Sequence, residues 1–285
     1  MNYRHAFHAG NFADVHKHAV LASILTHLRQ KPAPFRVLDT HAGAARYDLF
    51  SRDASRSGEW HEGIARIWKL RTEARALKEF LAAYLDVVAK LNPAGELRTY
   101  PGSPLICAAL LRAQDRLIAC ELEPHSAAVL SAALRSERRA KVLAIDGWTA
   151  LGANVPPKER RGLVLIDPPY EEMDEFPRLL ASLAAAYRKW PGGIYMIWYP
   201  IKDRKAPDTL ARAVGRFAGA KMLRSELILA EARRPGGLVG SGLILINPPF
   251  TLERQLPAVL PALEELLSTA AAGSDRMAST PTRRD

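Results

Sequence analysis

The sequence predicts an α/β fold built on a doubly wound, mostly parallel sheet, and three observations lead there. Seven short runs rich in Val, Ile and Leu read as buried strands. Amphipathic helical stretches separate most of them, the alternation that lays helices on both faces of a parallel sheet. Of the first four runs the first, second and fourth close on an acidic residue, and the third is followed at once by Asp146, a pattern suited to a ligand-binding sheet edge.

Taken in order, residues 14–29 predict a helix with Leu21, Ile24, Leu25 and Leu28 on its apolar stripe. The strand Phe35–Asp39 follows. Between about residues 49 and 100 there is no strand candidate. Instead Trp60, Ile64, Ile67, Trp68 and Leu70 fall at helical spacing, and a second helix runs from about Leu77 to Leu91. This predicts a helical subdomain, residues 49–99, inserted in a core made of residues 1–48 and 100–268. The remaining strands are expected at Leu117–Glu121, Lys141–Ile145, Gly162–Asp167, Ile194–Tyr199, Glu226–Ala230 and Gly242–Ile246. Helices are expected at 125–135 and 174–189, the second with Phe176, Leu179, Leu180 and Leu183 on one face. Residues 269–285, small and polar, predict a disordered tail.

At 285 residues, 48% hydrophobic and 25% charged, the chain has the make-up of one medium domain with a real core. Cys107 and Cys120 sit among apolar neighbours and read as core residues in a reducing cytosol rather than a disulfide pair. No apolar run approaches the ~20 residues that span a bilayer, so a cytoplasmic, soluble protein is expected. The eight histidines show no zinc-site spacing, and no metal is expected. A net charge of +10 favours a polyanionic partner. The basic pairs Arg138-Arg139, Arg160-Arg161, Arg188-Lys189 and Arg233-Arg234 are candidate phosphate contacts, and equally ordinary surface.

The loop Asp39-Thr40-His41-Ala42-Gly43-Ala44-Ala45 follows the first strand. Small residues after an acidic strand end let the backbone pass close to a nucleoside-bearing ligand, although a plain tight turn is the other reading. Glu121 ends the next strand, where a carboxylate accepts hydrogen bonds from ribose hydroxyls, typically ~20 residues on. Setting aside the insertion leaves about 31 residues between the two acids. Asp146-Gly147 follows the third, where a carboxylate or amide would meet an adenine ring. The loop lacks the three spaced glycines of a dinucleotide site, and no glycine-rich phosphate cradle is present. A ligand without a pyrophosphate is favoured, S-adenosylmethionine (SAM) over NAD or ATP.

Asp167-Pro168-Pro169-Tyr170 closes the fourth strand. The exocyclic amine of adenine is a poor nucleophile, because its lone pair is delocalised into the ring. A site that methylates it must accept the amine hydrogens and align the lone pair with the methyl carbon. Asp167 offers a carboxylate, and the carbonyl before Pro169 is a rigid second acceptor. Tyr170 offers a face for an extruded base. Asn247-Pro248-Pro249-Phe250 fits the same pattern, but it follows the last strand and reads as a structural turn.

With these motifs, Tyr3-Arg4-His5-Ala6-Phe7-His8-Ala9-Gly10-Asn11, Asp14, Lys17-His18 and Tyr100-Pro101-Gly102-Ser103-Pro104 complete a set that resembles the bacterial 23S ribosomal-RNA adenine-N6 methyltransferases of the J type. The resemblance runs from residue 1 to about 265. It implies a Rossmann-like class I SAM-dependent methyltransferase fold with seven strands and a helical insertion. It further implies that His18, His41, Ser103, Glu121, Asp146 and Gly147 hold SAM, with Lys17, Gly43 and Asp167 counted beside them. Asp167 would receive or orient the amine protons, flanked by Pro168, Pro169 and Tyr170, and Tyr3 would touch the RNA. Without the resemblance, Lys17 and His18 read as a solvated helix face and Ser103 as a helix N-cap. The family loop carries a glycine where Ala45 stands here. The implied partner is 23S rRNA, naked or in an assembly intermediate, and a monomer is expected.

A DNA adenine methyltransferase shares the same base chemistry and is the nearest rival. A non-catalytic RNA-binding assembly factor is the alternative from another class, disfavoured by an intact Asp167 and an intact row of acidic strand ends. A nicotinamide-dependent oxidoreductase stands further off, for want of the glycine fingerprint.

Overall fold

The computed structural model describes residues 5–68, 74–171, 174–229 and 238–268. Its strands are β1 (Arg36–Asp39), β2 (Arg46–Asp48), β3 (Thr99–Pro101), β4 (Arg116–Cys120), β5 (Ala140–Leu143), β6 (Gly162–Ile166), β7 (Ile194–Ile201), β8 (Met222–Ile228) and β9 (Gly240–Ile246). Its first five helices are α1 (Phe12–Arg29), α2 (Arg52–Ser57), α3 (Ile64–Trp68), α4 (Arg75–Leu91) and α5 (Ser103–Leu110). The other five are α6 (Pro124–Ala133), α7 (Gly147–Asn154), α8 (Glu175–Lys189), α9 (Lys205–Ala218) and α10 (Phe250–Ser268).

Seven strands form one sheet in the order β5-β4-β1-β6-β7-β9-β8. β1 pairs in parallel with both β4 and β6, while β9 runs antiparallel to β7 and β8. From β1 the chain builds outward through β4 and β5 on one side, then returns to build through β6 and β7 on the other. The connections therefore diverge above the C-terminal ends of β1 and β6, and such a divergence opens a crevice in α/β sheets. Asp39 ends β1 and Asp167 directly follows β6, so both stand at that crevice.

Strand residues alternate between two apolar layers, as a period of two requires. Val37, Leu163, Leu165 and Met196 join one layer with α1, α4, α5 and α10. Leu38, Val164, Ile166 and Ile197 join the other with α7, α8 and α9. The described residues between 49 and 99 have no separate core. Ile64, Ile67, Phe80, Leu81 and Tyr84 pack in the first layer together with Leu21, Leu25 and Leu263.

Helix α1 is held at its start by Asn11, whose Oδ1 accepts the Asp14 N–H at 2.9 Å. It is buried along most of its length, polar residues included. Successive helical residues point about 100° apart, so His16, Lys17 and His18 face three different directions, and each must find partners. His16 meets Ser241 of β9 at 3.0 Å and Ser225 of β8 at 2.9 Å. Burial pushes its imidazole down to about 3, so it stays neutral and pins α1 to the antiparallel edge of the sheet.

The predicted strands are all present with shifted ends. The largest shift is at β8, which starts at Met222 rather than Glu226; the predicted end, Ala230, lies outside the described residues. The helix predicted at 125–135 is α6, and that at 174–189 is α8 with Leu179 and Leu183 fully buried. Two strands were not foreseen. β2 and β3 pair antiparallel, Tyr47 opposite Tyr100, and tie together the two ends of the helical stretch. The predicted tail, residues 269–285, and Leu70 lie outside the described residues. No helix among the described residues is long and apolar enough to cross a membrane.

Candidate active site

Above β1 and β6 two cavities open side by side, of about 820 Å³ and about 680 Å³. Each is within the range that holds a small ligand. The larger is lined by His18, His41, Gly43, Ser103, Glu121, Asp146 and Gly147. The smaller is lined by Asn11, Asp14, Tyr170, Trp198 and Pro200. His5, Lys17, Asp167 and Pro169 line both, so Asp167 stands at the wall between them.

Lys17 reaches this wall from α1. Its Nζ lies 2.5 Å from Asp167 Oδ2 and 2.9 Å from Asp14 Oδ1, with the Trp198 ring centre 5.6 Å away. Asp14 also accepts the Gly10 N–H at 2.9 Å and lies 3.1 Å from His5 Nε2. Burial would raise the Asp14 carboxyl, but Lys17, then His5 and His18, outweigh it and hold it well below the usual carboxylate range. The solvated-face reading of Lys17 and His18 is overturned, for both are buried.

His18 is fixed from behind. Its Nδ1 is 2.7 Å from the Tyr100 hydroxyl, which is 2.8 Å from that of Tyr84. If Tyr84 donates to Tyr100 and Tyr100 to His18, every hydroxyl hydrogen in the chain has an acceptor. The reverse order leaves the buried Tyr84 hydrogen without one among these groups, at a cost of about 1–3 kcal/mol. The accounting selects Nδ1 as acceptor and leaves Nε2–H for the larger cavity. Burial pushes the imidazole down to about 3, so it is neutral.

His41 is placed by the same logic. The Thr40 hydroxyl donates to the Leu165 carbonyl at 2.9 Å and sits 2.8 Å from His41 Nδ1. With its proton committed, the hydroxyl accepts from Nδ1–H, and Nε2 is left as an acceptor. Burial brings His41 down to about 4. Trp148 packs edge-on to the ring at 5.0 Å.

Glu121 takes the Gly43 N–H on one oxygen and the Glu123 N–H on the other, each at 2.8 Å, which aims the carboxylate at the cavity mouth. Gly43 has φ +63°, and a Cβ there would sit 2.4 Å from the Tyr47 hydroxyl. The glycine is thus required by Tyr47, and not only by a ligand as the sequence suggested. Ala45 holds φ +66°, a left-handed conformation that favours glycine. Asp146 caps α7 through Thr149 N–H at 3.0 Å and pairs with Arg178 at 3.2 Å. Gly147 allows α7 to start against the loop, since a Cβ would lie 2.2 Å from the Thr40 carbonyl.

The N-cap reading of Ser103 is also overturned. Gly102 caps α5, and Ser103 Oγ donates instead to Asp39 Oδ2 at 2.7 Å. Asp39 is fully buried, and among the described residues its Oδ1 has no hydrogen-bond partner. Burial, opposed by Ser103 and reinforced by Asp167, raises this carboxyl to about 7.

Tyr170 holds φ +54°, which turns its side chain back over β7. Its hydroxyl donates to the Trp198 carbonyl at 2.5 Å, and its ring packs against Phe176 and Trp198 at 4.9 and 5.7 Å. The tyrosine expected as a stacking face thus buttresses Trp198 as well as lining the smaller cavity. The second copy of the motif is elsewhere. β9 is antiparallel, so Asn247 follows it at the opposite sheet edge, where Nδ2 donates to the carbonyls of Pro191 and Gly193 at 2.8 and 2.6 Å.

In three of the predicted basic pairs one member is a tethered side chain, while Arg138, Arg160 and Arg188 are exposed. Arg139 binds Glu137 and the carbonyls of Leu111 and Ala108; Arg161 binds those of Ala33 and Leu28, and Lys189 that of Gly152. Arg233-Arg234 and Tyr3 lie outside the described residues. Sequence reading missed Thr40, Tyr84, Tyr100 and Trp198 as supports of the site. A lone hydroxyl or indole gives no pattern, and only its distant partner reveals its role.

Residues 32–279 match the family described as "Ribosomal RNA large subunit methyltransferase D, RlmJ". The chain is 44% identical to "Ribosomal RNA large subunit methyltransferase J" of Escherichia coli over 273 residues, 96% of each chain. It is 41% identical to the protein of the same name from Haemophilus influenzae over 275 residues, again 96% of each. Among solved structures, protein LPL1258 from Legionella pneumophila superposes with a TM-score of 0.83 at 34% identity, covering 92% of this chain and 94% of that one.

Proposed function

The chain belongs to the RlmJ family of ribosomal RNA large subunit methyltransferases, and from that premise we propose that it methylates the N6 amine of an adenine in 23S rRNA with SAM as donor. The observation that carries the reading is Asp167, placed on the wall between two cavities and followed by two prolines. The larger cavity suits SAM: Glu121 faces it as a diol acceptor, the neutral His18 offers a donor, and no phosphate cradle is present. The buried, unpartnered Asp39 Oδ1 beneath it fits a cationic ligand better than an anionic one. The smaller cavity, walled by Trp198, Tyr170 and Pro200, suits a flipped base.

SAM, when bound, supplies a methyl group on a sulfonium centre. Lys17 occupies Asp167 Oδ2, so Oδ1 remains to accept one N6 hydrogen. The Pro168 carbonyl is the second acceptor, held rigid by the following proline. With both hydrogens engaged, the amine lone pair is turned toward the larger cavity, and Asp167 takes the proton released as the N–C bond forms. Positioning and exclusion of water supply most of the acceleration. The division into a core of 1–48 and 100–268 with a helical insertion at 49–99, and the contact of Tyr3 with RNA, belong to the same reading.

The test is transfer of labelled methyl from SAM to unmodified 23S rRNA by the wild type and Asp167→Asn. Label recovered as N6-methyladenosine, and reduced about 10³-fold by the substitution, supports the reading. Label in RNA that survives Asp167→Asn would move the chemistry to another residue. Label in DNA alone would replace the substrate.

A further inference from the structure

We propose that the short helix α2 and the turn before it form the rRNA docking ridge, with Arg46, Arg52 and Arg56 on the phosphates and Phe50 against a base. This rests on the rRNA methyltransferase reading above and names the surface that reading leaves open. Helix α2 runs along the rim between the two cavities. Ser51 and Asp53, at its start, line the larger one, and Ser57 and Gly58, at its end, line the smaller. A nucleotide entering the smaller cavity must carry its flanking phosphates across this rim.

The outward face of α2 is suited to that. Ala54 is buried against the protein, while Arg52, Ser55 and Arg56 are exposed together, the two arginines one helical turn apart. The nearest acidic residue on the helix is the half-buried Asp53, three positions before Arg56, which lines the larger cavity. Arg46 is exposed on β2 and borders the larger cavity. Among the described residues none of the three guanidinium groups has an ion-pair partner, whereas Arg139 and Arg161 are spent on backbone carbonyls and Arg98 on Asp48 at 3.6 Å. Unpaired arginines gathered at the mouth of a site are the groups available to displace phosphate counterions. Phe50 adds a second, independent observation. Its ring is 61% exposed beside this face and leans on Trp60 with ring centres 5.8 Å apart, so one side is backed and the other open. Every base offers a π-face to such a ring.

The experiment measures initial rates on an in vitro transcript of 23S rRNA over a range of salt, for the wild type, Arg52→Gln/Arg56→Gln and Phe50→Ala. Arg138→Gln/Arg188→Gln, at the opposite edge of the sheet, controls for charge alone. The docking double is expected to raise the RNA KM about tenfold and to lower the salt slope by about one per arginine replaced. Its kcat, its SAM affinity by calorimetry and its thermal midpoint should stay at wild-type values. Phe50→Ala should raise KM severalfold without changing the slope. A docking double indistinguishable from the control double would overturn the proposal. Wild-type protein that binds SAM yet labels no RNA would instead overturn the substrate reading, and this surface with it.

Discussion

Lys17 Nζ lies 2.5 Å from Asp167 Oδ2, and the same ammonium reaches Asp14 Oδ1 at 2.9 Å. One buried cation thus serves two carboxylates, one at the start of its own helix and one on the wall between the two cavities. Lys17→Met should leave both acids without their counter-charge in a site that is 5% or less exposed at Lys17 and Asp14. Removing one member of a buried ion pair costs about 3–5 kcal/mol, so urea denaturation should show a loss of that order. The methyl-transfer rate should fall even in the fraction that remains folded, which single-turnover kinetics would separate. A variant with wild-type stability would show that the pair contributes nothing net.

Tyr100→Phe should change the cofactor site without touching it. The substitution removes the donor that holds His18 Nδ1 as an acceptor, so the ring can take either tautomer. Nitrogen NMR of His18 should then show partial protonation at Nδ1. SAM affinity should fall about tenfold, roughly 1.4 kcal/mol, with kcat at saturating SAM little altered. Tyr84→Phe is the contrasting variant, because Tyr100 can still donate to His18, and it should bind SAM nearly as the wild type does.

The contrast between these supports and the strands shows what the sequence discloses. β1, β4 and β6 are covered on both faces, so they read as short apolar runs whatever packs on them. β8 is an edge strand carrying Arg224, Ser225 and Glu226, whose partners are Asp208, His16 and Arg204, and this polar middle broke the apolar run and hid its start. β2 and β3 are three residues each and stand only because they pair with one another across the 50 residues between them. The site divides the same way. Asp167 and Glu121 announce themselves by following apolar strands. Lys17 and His18 looked like solvated polar residues, since nothing local marks α1 as a buried helix whose partners lie about 80 and 150 residues away.

Gly147→Ala tests how closely α7 is seated on the loop after β1. The added Cβ would lie 2.2 Å from the Thr40 carbonyl and 3.0 Å from the His41 ring. Neither can yield freely, for Thr40 is bonded to Leu165 and His41 is packed on Trp148. A loss of about 1–3 kcal/mol is expected, and SAM binding should weaken because His41 must move. Gly152→Ala, in the same helix with open space around it, should be neutral or slightly stabilising. If calorimetry finds equal SAM affinity in both, close seating is not what the site requires.

The pH dependence of stability follows from groups whose folded and unfolded proton affinities differ. His16, His18 and His41 are depressed by burial to about 3, 3 and 4. Their contribution is present above the unfolded value near 6.5 and is lost as pH falls toward those folded values. Asp39, raised by burial to about 7, acts in the opposite sense. Its contribution is full below about 4 and is lost as pH rises through 7. Between pH 5 and 6.5 the unfolded chain gains protons on three histidines while the folded chain holds one on Asp39, so the histidines prevail and stability should rise with pH. Asp39→Asn removes the opposing group and should steepen that rise, with the gap between variant and wild type widening as pH increases. Urea-denaturation midpoints collected at half-unit intervals across this window would decide it. Parallel curves for the two proteins would mean that Asp39 carries no proton there, and that the buried carboxylate is stabilised by charges stronger than its attraction to Lys17 and its hydrogen bond from Ser103 indicate.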